Sequence, residues 1–540
     1  MIVIAACSGY PSRVGQQGES SFKCPFAEQS HGGGDDFLKS NINKVVTKPL
    51  KQQDEVLWTW QGALQSSSMV IKARMSDGIL NGDTIGAWIH HPTETNHLDS
   101  MKWFPATSLE KYGIATIYVT GLTPKMQYVY VVSSDEKKHP YEWKSNLRGR
   151  FRTPALEGTP MSFSFAFASC ADNHSNSVIF DVIREHAPLI FIHTGDLHYG
   201  NIEDPDPKTF HNMYDQVMSN SRQSEFFRNL PIAYMWDDHD FGPNNADSTS
   251  IGRAASIEAY LAGVPHYPLA AYHGQLDPKW LPSIYFTFKL GNVKFILTDT
   301  SSSKVVGETI LGASQLEWLL DELVTGARDS SLIVWINTVP WITPGDKWGA
   351  FEEEQRKISQ CIQKNNIQSK LIMLCGDAHM LAVDDGSHSM GGFPVFQAAS
   401  LDAKPTSKGG PYSHGIYPGR GQYGWIDIVD NGSIACAVFK GRRVDSNGQE
   451  TELVRFDTCD SSNSSPPRLY VPSPPWIQAL WKSGKKWISE SLPFGDEVMV
   501  YFDGFSISFI MACEQFWYVP VVLFCFAISL IGNKRKAKEE

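Results

Sequence analysis

Residues able to hold metal ions crowd four short stretches of this chain, each at the polar end of an apolar run. Cys170 closes SFAFASC, and Asp196 and Tyr199 lie in HTGDLHY. Asp237, Asp238, His239 and Asp240 form WDDHD, while Asp377 and His379 lie in CGDAH. Thiolate, phenolate, carboxylate and imidazole are all ligating groups, and the supply of aspartates suits two cations bridged by one carboxylate. Such a pair, roughly 3.5–4 Å apart, binds phosphate oxygens, generates hydroxide at neutral pH and stabilises a leaving oxygen. A thiolate beside a phenolate favours ferric iron at one position, with zinc the next choice. Any one of these residues has an ordinary explanation, because Asp caps helices at strand ends and a lone His usually packs in a core. Four clusters in order outweigh it. Ser169 adjoins Cys170 without a base near it in sequence, and no glycine-rich C-x-x-x-x-x-R loop follows Cys170, so neither residue reads as a covalent nucleophile.

Strands and loops must bring these clusters to one edge. From about residue 160 to 458 the runs FSFAFASC, PLIFIHTGD, PIAYMWDDHD, VKFILTDT, SLIVWINTV and KLIMLCGDAH alternate with helical patterns. Continuous apolar runs suit strands buried on both faces, and ligands then belong at their C-terminal ends. Residues 51–157 instead show short alternating runs such as TIGAWIHH, ATIYVTGL and QYVYVVSS, separated by turn residues. They predict an all-β sandwich. The string VTGLTPKMQYVYVV resembles the closing half of an immunoglobulin or fibronectin III-like module, with Tyr128 as its structural corner tyrosine.

The chain has 540 residues, 42% of them hydrophobic and 19% charged, which describes a globular protein of two or more domains. A formal net charge of -11 argues against a nucleic-acid partner. The 9 cysteines include no C-x-x-C pair, and their odd number leaves at least one sulfur free or on a metal. Residues 1–50 read as a flexible leader and 459–504 as a Pro/Ser-rich stalk. Residues 505–532 predict a single transmembrane segment centred on FWYVPVVLFCFAISLI, followed by a basic cytosolic tail at 533–540. That cap places the body in a lumenal or extracellular compartment, and the closing KAKEE resembles a dilysine endoplasmic-reticulum signal. MIVIAAC is short for a signal peptide, so tail insertion with a cytosolic body is the rival arrangement. Sequons stand at Asn173, Asn431 and Asn463, the first close to the candidate ligands.

The ordered motifs SC at 169–170, GDLHY at 195–199, WDDHD at 236–240 and GDAH at 376–379 resemble those of PhoD-type alkaline phosphatases in the calcineurin-like metallophosphoesterase superfamily. Further similarity runs through GRAASIEAY at 252–260, LGASQLEWL at 311–319 and NTVPW at 337–341. The resemblance implies an α/β (α+β, four-layer) metallophosphoesterase β-sandwich core at 158–458, behind the all-β domain and ahead of a C-terminal transmembrane helix. It implies Cys170, Asp196, Tyr199 and His379 around iron, with Asp196 as bridge, and Asp238 and Asp377 on a second metal that the family fills with calcium. Zinc, manganese and magnesium are alternatives. Asn244 or Asn245 would complete the calcium shell, His239 would assist the leaving group and Arg253 would hold phosphate. Ser301 stands where many relatives carry arginine, and His193 and His198 have no required family role. The implied activity is hydrolysis of mono- or diesters of phosphate by metal-bound hydroxide, on a substrate that a membrane-anchored enzyme could meet at a lipid surface. A catalytically silent binding or adhesion ectodomain is the rival reading.

Overall fold

The structure, a computed structural model, describes residues 55–76, 85–91, 101–110, 112–136, 148–270, 283–345, 347–432, 434–460, 500–503 and 506–509. The chain divides into two units, His31–Gln478 and a smaller one formed by Met1–Ser30 with Ala479–Glu540. In the larger unit eight strands come first: β1 (Val56–Gly62), β2 (Ser68–Met75), β3 (Gly86–His90), β4 (Lys102–Pro105), β5 (Ser108–Glu110), β6 (Ile114–Thr120), β7 (Gln127–Ser133) and β8 (Arg148–Arg152). The alternating rhythm follows as β9 (Phe163–Ala168), α1 (Ile179–Glu185), β10 (Phe191–Thr194), α2 (Pro207–Ser219), α3 (Ser221–Asn229), β11 (Ile232–Met235), α4 (Asp238–Phe241) and α5 (Arg253–Gly263). Then come β12 (Phe286–Leu290), β13 (Val293–Thr298), α6 (Ala313–Asp329), β14 (Leu332–Asn337), α7 (Glu352–Lys364) and β15 (Leu371–Cys375). The unit closes with β16 (Met380–Asp384), β17 (Val395–Ala398), β18 (Ile416–Pro418), β19 (Gln422–Asp430), β20 (Ala435–Val444) and β21 (Glu450–Asp457).

Why the central runs are apolar throughout is visible in their two faces. Along β13 and β14, Phe295, Leu297, Val334 and Ile336 enter one buried cluster, while Ile296, Ile333 and Trp335 enter a second. Successive side chains of a strand point to opposite faces, so a strand covered on both sides has no polar position to offer. The first cluster lies between two sheets: Phe165 of β9 meets Phe295 at 5.4 Å, and Phe396 of β17 stacks on Phe439 of β20 at 4.8 Å. The second is roofed by Leu319 and Leu323 of α6 and by Ile358 and Ile362 of α7. Across the first sheet, Phe226 of α3 packs on Phe191 and Phe227 packs on Trp60, both at 5.0 Å. The result is a four-layer helix–sheet–sheet–helix sandwich.

The seven-stranded sheet runs β12-β13-β14-β15-β17-β16-β18, and the ten-stranded sheet runs β21-β20-β19-β9-β10-β11-β1-β2-β6-β5. This second order is not that of an independent module merely preceding the catalytic domain. The all-β segment does form two facing sheets, the other being β4-β3-β7-β8, but β1 also pairs in parallel with β11 through Gly62 and Ile232. Polar links to Arg228 cross the expected boundary as well. Gln61 Nε2 donates to the Arg150 carbonyl (2.9 Å) and the Arg228 carbonyl (2.7 Å), and the Tyr130 hydroxyl donates to the Arg228 carbonyl (2.9 Å). Alternation in a strand reports which faces are buried and is silent about which edges pair. Tyr128 fits a corner role: its hydroxyl accepts from the Thr123 amide (2.8 Å) and its ring stacks on Phe151.

A disulfide joins Cys436 to Cys459 and ties the exit from β21 back to β20, so the catalytic unit extends past 458. Cys170, Cys361 and Cys375 are free. In the smaller unit β22 (Val500–Asp503) pairs with β23 (Ser506–Phe509) as an antiparallel hairpin. The segment predicted to span a membrane at 505–532 thus begins with a strand, in keeping with its alternation of serine with Ile and Phe. The rest of that segment, the leader, most of the stalk, Asn463 and the basic tail lie outside the described residues. Among the described residues no helix is long and apolar enough to cross a membrane.

The disulfide closes a loop with a sequence separation of 23. A cross-link of that span restricts the unfolded chain, and its loss should cost about 2–4 kcal/mol. Denaturant melts of oxidised and reduced protein should differ by that amount, and Cys436→Ser should abolish the difference.

Candidate metal centre

Four turns build the centre, and in three of them the backbone enters the left-handed region that L-residues avoid. Cys170 (φ 65°), Asp196 (φ 50°), Asp377 (φ 61°) and His379 (φ 49°) all adopt it directly after β9, β10 and β15. Each such residue costs of order 1–3 kcal/mol and persists only where its surroundings over-determine it. Here backbone contacts hold the turns together: the Cys170 amide donates to the Gly195 carbonyl (3.2 Å) and the Ala171 amide to the Asp196 carbonyl (3.1 Å). Two glycines permit the approach. A Cβ on Gly195 would lie 2.5 Å from the Asp237 Cβ, and one on Gly376 would lie 2.4 Å from the Thr194 carbonyl oxygen. Gly195 therefore lets the loops after β10 and β11 close on one another, and Gly376 does the same between the two sheets.

The side chains converge accordingly. Donor atoms of Cys170, Asp196 and His379 lie within 4.8 Å of one another, and so do those of Asp196, Asp238 and His239. Asp196 belongs to both groups. The Cys170 Sγ is 3.5 Å from Asp196 Oδ2, and the Tyr199 hydroxyl is 3.0 Å from His379 Nε2. His379 Nδ1 donates to the Lys404 carbonyl (2.5 Å), which fixes the tautomer and leaves Nε2 as the ligating nitrogen. His239 Nδ1 likewise donates to Asn201 Oδ1 (2.7 Å), so its Nε2 is available. Asp196 Oδ1 and Asp377 Oδ2 are buried and make no hydrogen bond with the protein.

Electrostatics carry the same message. Burial, then Asp237 and Asp238, push the Asp196 carboxyl well above the usual range. Burial and Asp196 raise the Cys170 thiol, and burial, Cys170 and Asp196 raise the Tyr199 phenol. Burial lowers both His239 and His379. Anions cannot coexist in so dry and crowded a space without positive charge among them, and the neutral imidazoles do not provide it. Cations do, so the donor set and the orphaned oxygens of Asp196, Asp237 and Asp377 fit the implied metals. Asp377 is the contrast: burial would raise it, yet Lys347 and Lys408 bring it down to about 2.

The remaining candidates fall around this nucleus. Asp238 accepts from the His239 amide (3.0 Å) and the Asn245 amide (2.6 Å), so Asn245 holds it through backbone while its side chain, like that of Asn244, is exposed. Asp240 spans the His198 amide (2.9 Å) and the Asp237 amide (3.1 Å) and thereby ties two motifs together. His193 and His198 are buried, each held near a pKa of about 3 by burial. Arg253 Nε donates to the Ser302 carbonyl (3.1 Å), and its guanidinium feels the buried Asp299. Ser301 is fully buried. Asn173, read from the sequence as a doubtful sequon, accepts from the Tyr199 amide through Oδ1 (2.5 Å). Sequence reasoning passed over Asn173 as a positioning residue, along with Asn201, Lys304, Lys347 and Lys408. None stands in a motif, and only its loop's place after a strand end could have drawn notice. A polar cavity of about 570 Å³, lined by Asp172, His174, Asp402, Arg420 and Arg443 among others, opens beside the Cys170 loop rather than over the donors.

Comparison with known proteins points to a phosphatase family. The model of the PhoD-like phosphatase family matches residues 165–411. A solved structure of PhoD is similar over 76% of this chain and 91% of its own, with a TM-score of 0.62 and 16% identity, a likeness of fold. A purple acid phosphatase from yellow lupin (Lupinus luteus) seeds aligns over 74% of this chain and 73% of its own, at 12% identity and a TM-score of 0.49. No curated protein sequence matches the chain.

Because Asp196 is common to both donor groups, Asp196→Asn should empty both metal positions, whereas Asp238→Asn should spare the Cys170 side. Metal content by plasma mass spectrometry should read near zero for the first variant and retain one metal in the second.

Proposed function

Residues 165–411 form a PhoD-like phosphatase domain, which makes the chain a phosphoric ester hydrolase, and from that premise we propose how its own residues carry out the reaction. Water attacks phosphorus directly and in line with the leaving alkoxide, without a covalent phosphoenzyme. The observation that carries this reading is the sharing of Asp196 between two donor groups, the arrangement that a pair of closely spaced cations requires. Cys170, Asp196, Tyr199 and His379 would hold one cation, for which thiolate and phenolate favour iron. Asp196, Asp238 and Asp377 would hold the other, where carboxylate oxygens suit calcium. Asn244 and Asn245 stand at the exposed rim beside it. When bound, such cations lower the pKa of water and neutralise charge on phosphoryl oxygens.

The protein's own part is positioning and proton handling. Asp240 and Asn173 fix the loop that carries Tyr199 by accepting the His198 and Tyr199 amides. Asn201 accepts the Nδ1 proton of His239, and Tyr199 packs against that imidazole at 4.5 Å. The ring is thereby oriented with Nε2 as its reactive nitrogen. Protonated there, it would pass a proton to the departing oxygen. Phe241 and Trp236, both buried, pack against one another at 5.3 Å and anchor the WDDHD loop.

We also assign the catalytic body to an oxidising, exported compartment. The Cys436–Cys459 disulfide supports this, since such bonds persist in secretory settings. The sequon at Asn431 adds support, because that residue is exposed in the hairpin between β19 and β20, where a glycan would fit.

Full-length protein supplied with iron and calcium should hydrolyse 4-nitrophenyl phosphate or bis(4-nitrophenyl) phosphate and lose that activity to chelators. Asp196→Ala should abolish turnover, and His239→Ala should lower kcat about a hundredfold or more. A metal-replete wild type inert on both esters would instead point to a silent binding ectodomain.

A further inference from the structure

Two of the carboxylates assigned to the second cation come from different sheets. Asp238 follows β11 of the ten-stranded sheet, and Asp377 follows β15 of the seven-stranded sheet. Donors that share a cation must be held to within about 0.5 Å of their working positions by the groups around them. Something has to fix one sheet end against the other.

Asp299, which the mechanism above leaves without a role, stands where that tie is needed. It follows β13 directly, is fully buried, and its two carboxylate oxygens accept from six donors. Oδ1 takes the Trp236 Nε1 proton (3.0 Å) and the Ser301 and Ser302 amides (both 3.0 Å). Oδ2 takes the Ser283 hydroxyl (2.6 Å), the Ile284 amide (3.1 Å) and the Ser302 hydroxyl. Most of these bonds stay near β12 and β13. The one from Trp236 crosses to the other sheet, because Trp236 follows β11 and lies two residues before Asp238. A carboxylate can gather donors from two directions in this way, since it offers several lone pairs and competes with no donor of its own.

From Asp299 the polar contacts run to both donors. On one side, the loop it folds carries Lys304, whose Nζ donates to the Asn245 carbonyl (3.2 Å), and the Asn245 amide holds Asp238 Oδ2 (2.6 Å). The Ser248 amide closes the same pair of loops by donating to the Lys304 carbonyl (3.0 Å). On the other side, the Thr300 hydroxyl shares a hydrogen bond with that of Thr338 (2.6 Å). The Thr338 carbonyl then accepts the Gly376 amide (2.9 Å), one residue before Asp377. A buried polar network whose members are satisfied stiffens the elements it joins.

We propose that Asp299 is a positioning residue for the second cation: by holding Trp236 of one sheet against its own loop in the other, it sets where Asp238 stands relative to Asp377. This rests on the two-cation reading above and adds the device that spaces its donors. Groups that orient metal ligands change metal affinity about 10–100-fold when they are removed. Loss of Asp299 loosens the spacing of the donors and takes no ligand away.

The test titrates calcium by calorimetry into full-length protein already supplied with iron. Asp299→Asn and Trp236→Phe should each weaken calcium binding about tenfold or more, while mass spectrometry still finds the metal on the Cys170 side. Ser283→Ala also takes one donor from the Asp299 carboxylate but joins no loop of the centre, so it should bind calcium as wild type does. Turnover of 4-nitrophenyl phosphate by Asp299→Asn should return toward the wild-type rate as calcium is raised, a rescue that a general loss of stability would not show. Calcium binding unchanged in Trp236→Phe, or weakened equally by Ser283→Ala, would overturn the assignment, and so would equal loss of metal from both sides. If Asp299→Asn does not fold, the comparison of Trp236→Phe with Ser283→Ala decides. If wild type binds no calcium, the two-cation reading fails by itself, and hydrogen exchange on metal-free protein decides instead. Exchange across residues 236–246 that quickens in Trp236→Phe and not in Ser283→Ala keeps the role of Asp299; unchanged exchange removes it.

Discussion

Carboxyl groups crowded into a buried space govern the edge of these sheets. Asp196, Asp237, Asp238, Asp240 and Asp377 are all buried within a few residues of the sheet ends, and Cys170 and Tyr199 join them. Burial above all, with repulsion among neighbours, opposes ionisation of Cys170, Asp196, Tyr199, Asp237 and Asp240. The fold brings them together regardless, by means of left-handed turns that L-residues rarely adopt. Such strain is sustained because the strands beneath are packed on both faces and cannot shift to relieve it. The centre is thus poised against its own electrostatics until positive charge arrives. Lysines answer that need at the mouth, while the carboxylate oxygens without protein partners mark where cations answer it within.

Much of this was legible in the sequence, and for a physical reason. A strand buried on both faces must be apolar throughout, so β9, β10, β11 and β15 announce themselves, and the polar residues after them must lie at the sheet edge. The ordered clusters at Cys170, Asp196, Asp238 and Asp377 could therefore be placed together without coordinates. What escaped notice lacks any periodic signature. Lys347 lies in an irregular loop well beyond the end of β14 and Lys408 well beyond β17, and nothing in their neighbours distinguishes them from surface lysines. Asn173 looked like a glycan acceptor, yet it accepts a backbone amide of the centre. Cys436 and Cys459 could not be paired by spacing alone.

The boundary at 157 shows another limit. Alternation within the first eight strands identifies a sandwich and says nothing of its edges. Gly62 and Ile232 pair across that boundary, and Gln61 and Tyr130 add polar links to the Arg228 carbonyl. The all-β segment is a neighbour that shares a sheet with the catalytic layers. Its contact falls on β11, the strand that leads directly into Asp237, Asp238 and His239, so the positioning of the WDDHD loop depends in part on residues far from any motif.

Strand order also sets a timetable for assembly. β9, whose end carries Cys170, lies between β10 and β19, and β19 begins only at Gln422. As the chain leaves the ribosome, the first sandwich is complete early and can offer β1 as a template for β11. The other flank of β9 stays uncovered until roughly 250 further residues have been made. Unpaired strand edges invite association with other chains. Nascent protein interrupted before β19 would therefore expose its ligand-bearing strand to its neighbours, and release of an assembled enzyme is tied to synthesis of nearly the whole catalytic body.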